Sequence, residues 1–295
     1  MDTLTGSDIA KFLGKSLNGE SLSIDGPATL KDCGPGHIVW TKHFSEQLVQ
    51  RLETRRPALV ICDDETSRKI SIPYIRSDNP RLEFIKILNN FFKMPVDRLI
   101  HPTAIIKEGA KVGENVKIGA YVVIDKNIKV GNDCIIGPGV KLEGDITIGK
   151  GCVIKSNSAL GGQGFGFEYD EKGNPIHFPH LGKIVLEDEV WIGSCSTVEI
   201  GTLGETRICT GSKIDDLVQV GHNVTVGSNT LIMAGSIICG GATIGEKCWI
   251  APNSVIKEKV RIGNRVKVGL GAVVIRDIQD DLIVAGVPAK PLHPK

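Results

Sequence analysis

The residues best suited to chemistry lie in the segment Ile214–Asn223, which contains Asp215, Asp216 and His222. An imidazole accepts a proton near neutral pH, so His222 is a candidate general base. A carboxylate bonded to the second ring nitrogen would fix the tautomer, and Asp215 and Asp216 are expected to supply it. The segment therefore predicts acid–base catalysis in which His222 takes a proton and an aspartate orients the ring.

Gly240 follows His222 by three hexads of the repeat described next, within the short run Cys239–Gly241. Positions three hexads apart stack in such a repeat, so the Gly240 amide is expected directly above the imidazole. A residue without a side chain leaves room for a reacting carbonyl, and its N–H can stabilise the oxyanion that forms there. The sequence contains no motif for a covalent nucleophile or a P-loop, so we expect direct transfer assisted by a general base.

These residues belong to a six-residue repeat of branched aliphatic side chains. The repeat runs through 100–160, returns in 186–198, slips by four residues in 201–207 and continues through 208–274. A period of six fits neither a helix nor a simple strand, but it fits a chain that turns a corner every six residues. Three hexads make one coil, so positions three hexads apart stack at a strand spacing of ~4.8 Å. The repeat predicts a mainly β protein built on a parallel β-helix.

The remaining segments divide the chain into domains. Residues 1–99 alternate helix and strand patterns, beginning with a helix at Asp8–Leu17, and predict a small α/β domain. The β-helix domain of 100–276 contains a loop insertion at 161–183, and a short tail of 277–295 follows. So long a loop inside a repeat is often functional. Its glycines and phenylalanines suit a ligand lid or a contact with a neighbouring subunit, and equally a loop packed on its own coil.

Composition and charge exclude several classes of function. The formal net charge is +1, which predicts neither a nucleic-acid partner nor a polybasic membrane anchor. The sequence has no stretch long enough to span a membrane and no signal-peptide pattern. The eight cysteines are scattered without metal-ligand spacing, so we expect free thiols in a reducing, cytoplasmic compartment and no metal site.

Several motifs spread over almost the whole chain carry a resemblance to a known family. They are Asn79-Pro80-Arg81-Leu82, Ile100-His101-Pro102-Thr103-Ala104, Gly164-Phe165-Gly166-Phe167, Phe178-Pro179-His180-Leu181-Gly182, Asp215 and His222-Asn223. With them the chain resembles the UDP-3-O-acylglucosamine N-acyltransferases of the lipid A pathway, a family of left-handed β-helix acyltransferases. The hexads alone would indicate only the wider hexapeptide-repeat superfamily.

The resemblance implies a homotrimer with active sites between neighbouring prisms. It implies that His222 is the general base for a sugar amine that attacks a thioester, with the Gly240 amide at the oxyanion. The thioester is carried by acyl carrier protein or coenzyme A as a co-substrate, and no cofactor is bound permanently. The N-terminal domain would hold the uridine of a nucleotide sugar. The residues that the resemblance places around the substrates are Trp40 (stacking on uracil), Asn223, Phe165, Phe167, His180 and Lys259.

Two departures from the family pattern leave the substrates open. Lys259 stands where the family has a second histidine in the active-site groove. The ending 284–290 resembles that of coenzyme-A-dependent sugar acetyltransferases, in which this tail helps to bind the cofactor, rather than the family's C-terminal helices. The chain could therefore be a paralogue that transfers acetyl groups from acetyl-coenzyme A to another amino sugar of a surface glycan.

Two other classes of function are alternatives. A non-catalytic trimeric scaffold could keep the prism as a binding surface, since repeat surfaces bind partners readily. A metal-dependent trimer like the hexapeptide-repeat carbonic anhydrases would need three convergent histidines, and only His222 is well placed for that role. The leading interpretation remains an N-acyltransferase that acts on the amine of a nucleotide-activated amino sugar.

Overall fold

The computed structural model describes residues 3–92 and 100–292 and divides into two compact units, Met1–Val96 and Asp97–Lys295. The predicted domain boundary at residue 99 lies outside the described residues. Within the described ranges, no helix is both long and apolar enough to cross a membrane.

The N-terminal unit is a five-stranded sheet with helices. Its elements are α1 (Gly6–Leu13), β1 (Leu17–Asn18), β2 (Gly26–Pro27), β3 (His37–Trp40), α2 (Glu46–Arg55), β4 (Leu59–Cys62), α3 (Asp64–Ser67), β5 (Tyr74–Arg76) and α4 (Pro80–Phe91). The strand order is β1-β5-β4-β3-β2, with β1 antiparallel to β5 and the other neighbours parallel. Buried aliphatic residues of β3, β4 and β5 form the centre of its core.

The first helix is shorter than the sequence pattern predicts. Thr5 and Asp8 form a capping box at its start, and Gly14 ends it in the left-handed conformation with φ 63°. Leu17 consequently lies outside the helix and pairs with Ile75 in the sheet. The prediction of a helix over Asp8–Leu17 is therefore wrong at its C-terminal end, because the glycine cap outweighs the apolar spacing.

The second unit is a prism whose three faces are parallel sheets, except for one antiparallel pair at the end of the second face. The first face consists of Lys111–Val112, Ile128–Val130, Ile146–Ile148, Lys183–Leu186, Glu205–Ile208, Thr225–Val226, Thr243–Ile244 and Arg261–Ile262. The second face consists of Lys117–Ile118, Ile135–Ile136, Val153–Ile154, Trp191–Ile192, Lys213–Ile214, Leu231–Ile232, Trp249–Ile250, Lys267–Val268, Ile283–Ala285 and Lys290–Pro291. The third face consists of Ile105–Ile106, Val123–Ile124, Lys141–Leu142, Ala159–Gly162, Thr197–Glu199, Gln219–Val220, Ile237–Ile238, Val255–Ile256 and Val273–Val274. The predicted fold, a left-handed parallel β-helix with a small N-terminal α/β part, is confirmed.

The register of the coils follows the hexads. Regular neighbours pair at a distance of three hexads along the chain, as in Ile128 with Ile146 and Gln219 with Ile237. From Ile118 onward, the inward residue of each hexad is almost fully buried in one continuous apolar column, which stabilises the prism through the hydrophobic effect. The pairing distance is longer at two places. Ile146 pairs with Ile184 across the loop insertion, and Ile184 pairs with Thr206 across the slip.

Both irregularities fall at the same corner, which lies between the third and first faces. We call it the loop corner; its segments are 163–182, 200–204, 221–224, 239–242 and 257–260. The insertion carries an antiparallel hairpin of Phe167–Tyr169 with Pro175–His177. At the end of the second face, Lys290–Pro291 pairs antiparallel with Ile283–Ala285.

Candidate active site

The loop corner brings together His222, Gly240 and Lys259 from three successive coils. Backbone hydrogen bonds tie these coils, because the Gly241 amide donates to the His222 carbonyl at 2.8 Å and the Lys259 amide donates to the Gly240 carbonyl at 3.1 Å. Each of the three residues follows a third-face strand, so they share one edge of the prism.

The imidazole of His222 lies directly against Gly240. A Cβ atom added to Gly240 would be 2.5 Å from Nε2 and 2.8 Å from Cε1 of the ring, so any side chain there would force the imidazole to move. Within residues 3–92 and 100–292, the Gly240 N–H has no hydrogen-bond acceptor. A proton acceptor and an unused backbone donor thus stand side by side, which is the arrangement that stabilises an oxyanion during acyl transfer.

The other side of the imidazole contacts neutral groups. Nδ1 is 3.1 Å from Oγ1 of Thr202 and 3.0 Å from Oδ1 of Asn223. The His222 backbone N–H donates to Oε2 of Glu199 at 3.1 Å. Sequence analysis did not predict Thr202 or Glu199 as site residues. Both lie in or next to the four-residue slip, which is the sequence feature that could have drawn attention to them.

The predicted contact of Asp215 and Asp216 with His222 is wrong. Both aspartates follow the second-face strand Lys213–Ile214, so they occupy the corner between the second and third faces, one hexad away from His222. Asp216 instead accepts hydrogen bonds from Nζ of Lys155 at 2.7 Å and from the Ser194 amide at 2.6 Å.

The environments of the two aspartates differ. The hydrogen bond from Lys155, followed by that from the Ser194 amide, lowers the pKa of the Asp216 carboxyl below its ordinary value. Asp215 is exposed and lines a small depression of the second face, of about 260 Å³, beside Trp191 and Met233. These positions give Asp216 a structural role at its own corner.

A series of aromatic rings connects the loop insertion to the imidazole of His222. Ring centroids are 4.9 Å apart between Phe165 and Phe167, 5.2 Å between Phe167 and His177, 5.9 Å between His177 and His180, and 4.8 Å between His180 and His222. The last pair meets edge to face at 72°. The insertion is therefore packed onto its own coil at the active-site corner, as one of the two sequence interpretations expected.

His180 is the anchor of this loop and is only 2% exposed. Its backbone N–H donates to Oε1 of Gln163 at 2.7 Å, and Gln163 donates back to the His180 carbonyl at 2.9 Å. Nδ1 lies 2.9 Å from the Phe178 carbonyl, which can only accept, so Nδ1 is the protonated nitrogen. Nε2 is buried against Gly164 without a hydrogen-bond partner in the described part of the chain. His180 therefore packs on His222 and is not open to solvent.

Large apolar side chains of the loop corner remain open to solvent. Phe165 is 88% exposed, Leu181 76% and Leu203 73%, while Phe167 and Phe178 are about half-exposed. Leu181 lies close to His222 because its amide donates to the carbonyl of Thr202 at 2.7 Å, and the Thr202 side chain contacts the His222 ring. Exposed apolar clusters of this kind mark surfaces that bind apolar ligands or protein partners.

Lys259 stacks in register with Asn223 along the prism, two coils further along the chain. Its Cγ would be 3.3 Å from a Cβ at Gly241, the residue between them. Lys259 is exposed and has no salt-bridge partner among the described residues. Lys259 thus provides an exposed cationic side chain at the loop corner, where an anionic ligand can reach it.

The thiol of Cys239 lies close to this site. Partial burial raises the pKa of Cys239, and the carboxylates of Glu258 and Glu199 raise it further. The thiol therefore stays protonated and is a poor nucleophile. This electrostatic environment agrees with direct transfer rather than a covalent cysteine intermediate.

In the N-terminal unit, Trp40 lines an open cleft of about 1110 Å³. Its ring packs on Phe84 with centroids 6.5 Å apart. The cleft is also lined by Lys42, Asn79 and Arg81, which supply two cations and an amide next to the indole. An aromatic plane with adjacent cations suits a flat base attached to phosphate groups.

Fold and site together define a hexapeptide-repeat acyltransferase. Residues 127–162 and 241–276 match the family described as "Bacterial transferase hexapeptide (six repeats)". A protein of Campylobacter lari named UDP-3-O-acylglucosamine N-acyltransferase is 34% identical over 296 residues, with 96% of this chain and 92% of the relative covered. A Francisella tularensis subsp. holarctica protein of the same name is 38% identical over 245 residues, covering 75% and 72%. The chain belongs to the UDP-3-O-acylglucosamine N-acyltransferase family.

Solved structures support the fold independently. The UDP-N-acetylglucosamine O-acyltransferase of Moraxella catarrhalis superposes with a TM-score of 0.61 at 24% identity, covering 66% of this chain and 74% of that one. The corresponding structure from Acinetobacter baumannii gives a TM-score of 0.61 at 21% identity, with the same coverage. At this identity the likeness concerns the β-helix fold alone.

Proposed function

We propose that this protein transfers an acyl group from a thioester donor to the amine of a UDP-linked 3-O-acylglucosamine, a step of lipid A biosynthesis. The observation that carries the proposal is the pairing of His222 Nε2 with Gly240, whose N–H has no acceptor in the described chain. The names of the relatives support the same substrate class.

In the proposed reaction, the sugar amine attacks the thioester carbonyl while His222 Nε2 removes a proton from the nitrogen. The carbonyl oxygen becomes an oxyanion that accepts a hydrogen bond from the Gly240 N–H. The C–S bond then breaks as the amide forms, and His222 returns its proton to the departing thiolate. Alignment of the two substrates at the corner lowers the barrier further.

The cleft around Trp40 is the proposed site of the nucleotide. The indole would stack on uracil, and Lys42 and Arg81 would bind the diphosphate, because all three residues line the same cleft. At the loop corner, the exposed Phe165 and Phe167 would contact acyl chains, and Lys259 would bind a phosphate of the donor carrier. Asn223 and His180 act on the base rather than on the substrate.

A homotrimer is part of the proposal. The second face exposes Trp191 at 39% and Trp249 at 44%, with Lys213 and Leu231 in the row between them, and exposed aromatic side chains of this size are typical of a surface that is covered in an assembly. Sedimentation at micromolar concentration should give three times the chain mass of 31.7 kDa. The eight free thiols fit the reducing cytoplasm as the compartment.

The test is a transfer assay with a UDP-linked 3-O-acylglucosamine and two donors, a long-chain acyl carrier protein thioester and acetyl-coenzyme A. We expect N-acylation from the carrier-protein donor, and His222→Ala should lower kcat/KM by about 10²–10⁴-fold. The matched control is His101→Ala, an exposed histidine at the first coil. Transfer from acetyl-coenzyme A alone would move the protein to the acetyltransferases, and no transfer from either donor would contradict the enzyme proposal.

A further inference from the structure

The Nδ1 atom of His222 faces two uncharged oxygen atoms at the loop corner. Oγ1 of Thr202 lies 3.1 Å away and Oδ1 of Asn223 lies 3.0 Å away, and these two oxygens are 2.8 Å from each other. The three atoms form a closed triangle. The positions of its hydrogen atoms follow from which groups can donate.

The Thr202 backbone fixes the orientation of the Asn223 amide. The Thr202 N–H donates to the side-chain atom of Asn223 at 3.0 Å, so that atom must be the oxygen and not the NH₂ group. A ring nitrogen 3.0 Å from this oxygen forms a hydrogen bond only if the nitrogen carries hydrogen. Without that hydrogen, two lone pairs would face each other across the contact.

The Thr202 hydroxyl has one hydrogen, and the geometry assigns it to Asn223. The Oγ1–Oδ1 distance of 2.8 Å is that of an O–H···O hydrogen bond, and the amide oxygen can only accept. The hydroxyl is then an acceptor toward His222. When Nδ1 is protonated, its single N–H is shared between Oγ1 of Thr202 and Oδ1 of Asn223 as a three-centre hydrogen bond, and the lone pair of neutral His222 is then on Nε2, the atom beside Gly240.

We propose that Thr202 and Asn223 are positioning residues that form an uncharged clamp on His222 and hold it in the Nδ1–H tautomer. The inference deepens the proposed function, on which its catalytic meaning rests. Free imidazole side chains favour the opposite tautomer in water. The clamp therefore selects the minor form, in which the basic nitrogen points toward the reacting groups.

The slip in the coil is what builds the clamp. It places Thr202 next to Asn223, which is 21 positions further along the chain. In a regular coil, stacked residues are only three hexads apart. Gly201 and Gly204 approach so closely that a Cβ at Gly201 would be 2.5 Å from the Gly204 carbonyl oxygen. The backbone N–H of Asn223 in turn donates to Oγ1 of Thr206 at 2.9 Å, which fixes the second half of the clamp.

The decisive measurement is ¹⁵N NMR of the histidine side chains in the labelled full-length protein, with the His222 signals assigned by their loss in His222→Gln. We expect the Nδ1–H pattern at neutral pH. Thr202→Val removes the hydroxyl at nearly constant volume and should weaken this pattern. The same variant should lower kcat about 10-fold with little change in KM. Thr202→Ser should restore both properties.

The matched control is Thr243→Val, which changes an outward residue of the first face that makes no side-chain hydrogen bond within the described chain. An Nε2–H pattern in the parent protein would overturn the clamp, as would Thr202→Val acting like this control. If the parent shows the Nδ1–H pattern but transfers no acyl group from either donor, the proposed function fails and the clamp stands. The two ideas are thus separable in one set of samples.

Discussion

Gly240 stands so close to His222 that a side chain of any size would occupy the space in front of the basic nitrogen. A Cβ at this position would be 2.5 Å from Nε2. The stacking that the hexad count predicts is therefore tight enough to test by adding one methyl group.

Gly240→Ala should nearly abolish acyl transfer while leaving nucleotide binding in the Trp40 cleft unchanged. The methyl group displaces the imidazole or blocks the thioester carbonyl, and losing a positioned general base typically costs about 10²–10⁴-fold in rate. Steady-state kinetics and titration with a UDP-sugar measure the two properties. The control is Gly162→Ala in the same prism, where the added Cβ meets no atom within 4 Å. Equal activity of both variants would show that Gly240 does not border the reaction.

Asn223→Asp should move the acidic limb of the kcat/KM profile toward higher pH. The substitution replaces an uncharged acceptor by a carboxylate next to Nδ1, which stabilises the protonated imidazole. Aspartate tolerates the left-handed backbone of this position, where φ is 59°. If the acidic limb of the kcat/KM profile does not move, another group is responsible for it.

Asp216→Asn should lower stability slightly and leave kcat within about twofold of the parent protein. The carboxylate is partly exposed, so its pair with Lys155 is expected to contribute about 0.2–1 kcal/mol. Because folding lowers the pKa of Asp216, this contribution is present above the unfolded-state pKa of about 4 and is lost as pH falls through the folded value. Denaturant unfolding should show a smaller difference between the variant and the parent protein at pH 3 than at pH 7.

A large loss of activity in Asp216→Asn with unchanged stability would restore the aspartate to the active site. Asp215→Asn is a useful companion, because the Asp215 carboxylate has no hydrogen bond within the described residues. Its substitution should change neither stability nor kcat appreciably.

Thiol labelling should distinguish the cysteines by position. Cys195 is exposed and should react first with a maleimide at mildly alkaline pH, whereas Cys62 lies fully buried in β4. Burial, and then the neighbouring Asp63, raises the pKa of Cys62 to about 12, so the reactive thiolate is scarce as well as inaccessible. Peptide mass spectrometry should find Cys62 modified only after denaturation. Modification of both at similar rates would show that β4 opens readily.

The regular part of the site was predictable because it depends on periodicity alone. A period of six fixes both the inward residue and the stacking partner, so Gly240 could be placed on His222 by counting. The same counting explains why Lys259 appears at the corner. Wherever neighbouring coils pair at a distance of three hexads, the sequence determines which side chains share an edge.

The rest of the site depends on the two places where the coil is irregular. Thr202 reaches Asn223 through the slip, and His180 reaches His222 through the folded insertion, so neither partner follows from a fixed offset. The aspartates were assigned to His222 by nearness in sequence. In a prism, however, residues one hexad apart lie at different corners, and nearness along the chain means separation in space.

The antiparallel pairing of Lys290–Pro291 has a consequence for polymerisation. A stack of parallel coils ends in open peptide groups, which are a template for a second copy and hence for fibres. Here the second face ends in an antiparallel strand that contains a proline, while the first and third faces end in parallel strands. A coil added at this end would have to pair with the antiparallel strand on the second face and with the parallel strands on the other two faces. Successive coils of this chain all run in the same direction, so a coil of a second copy cannot make both kinds of pairing. Filament growth by coil stacking is therefore disfavoured at this end.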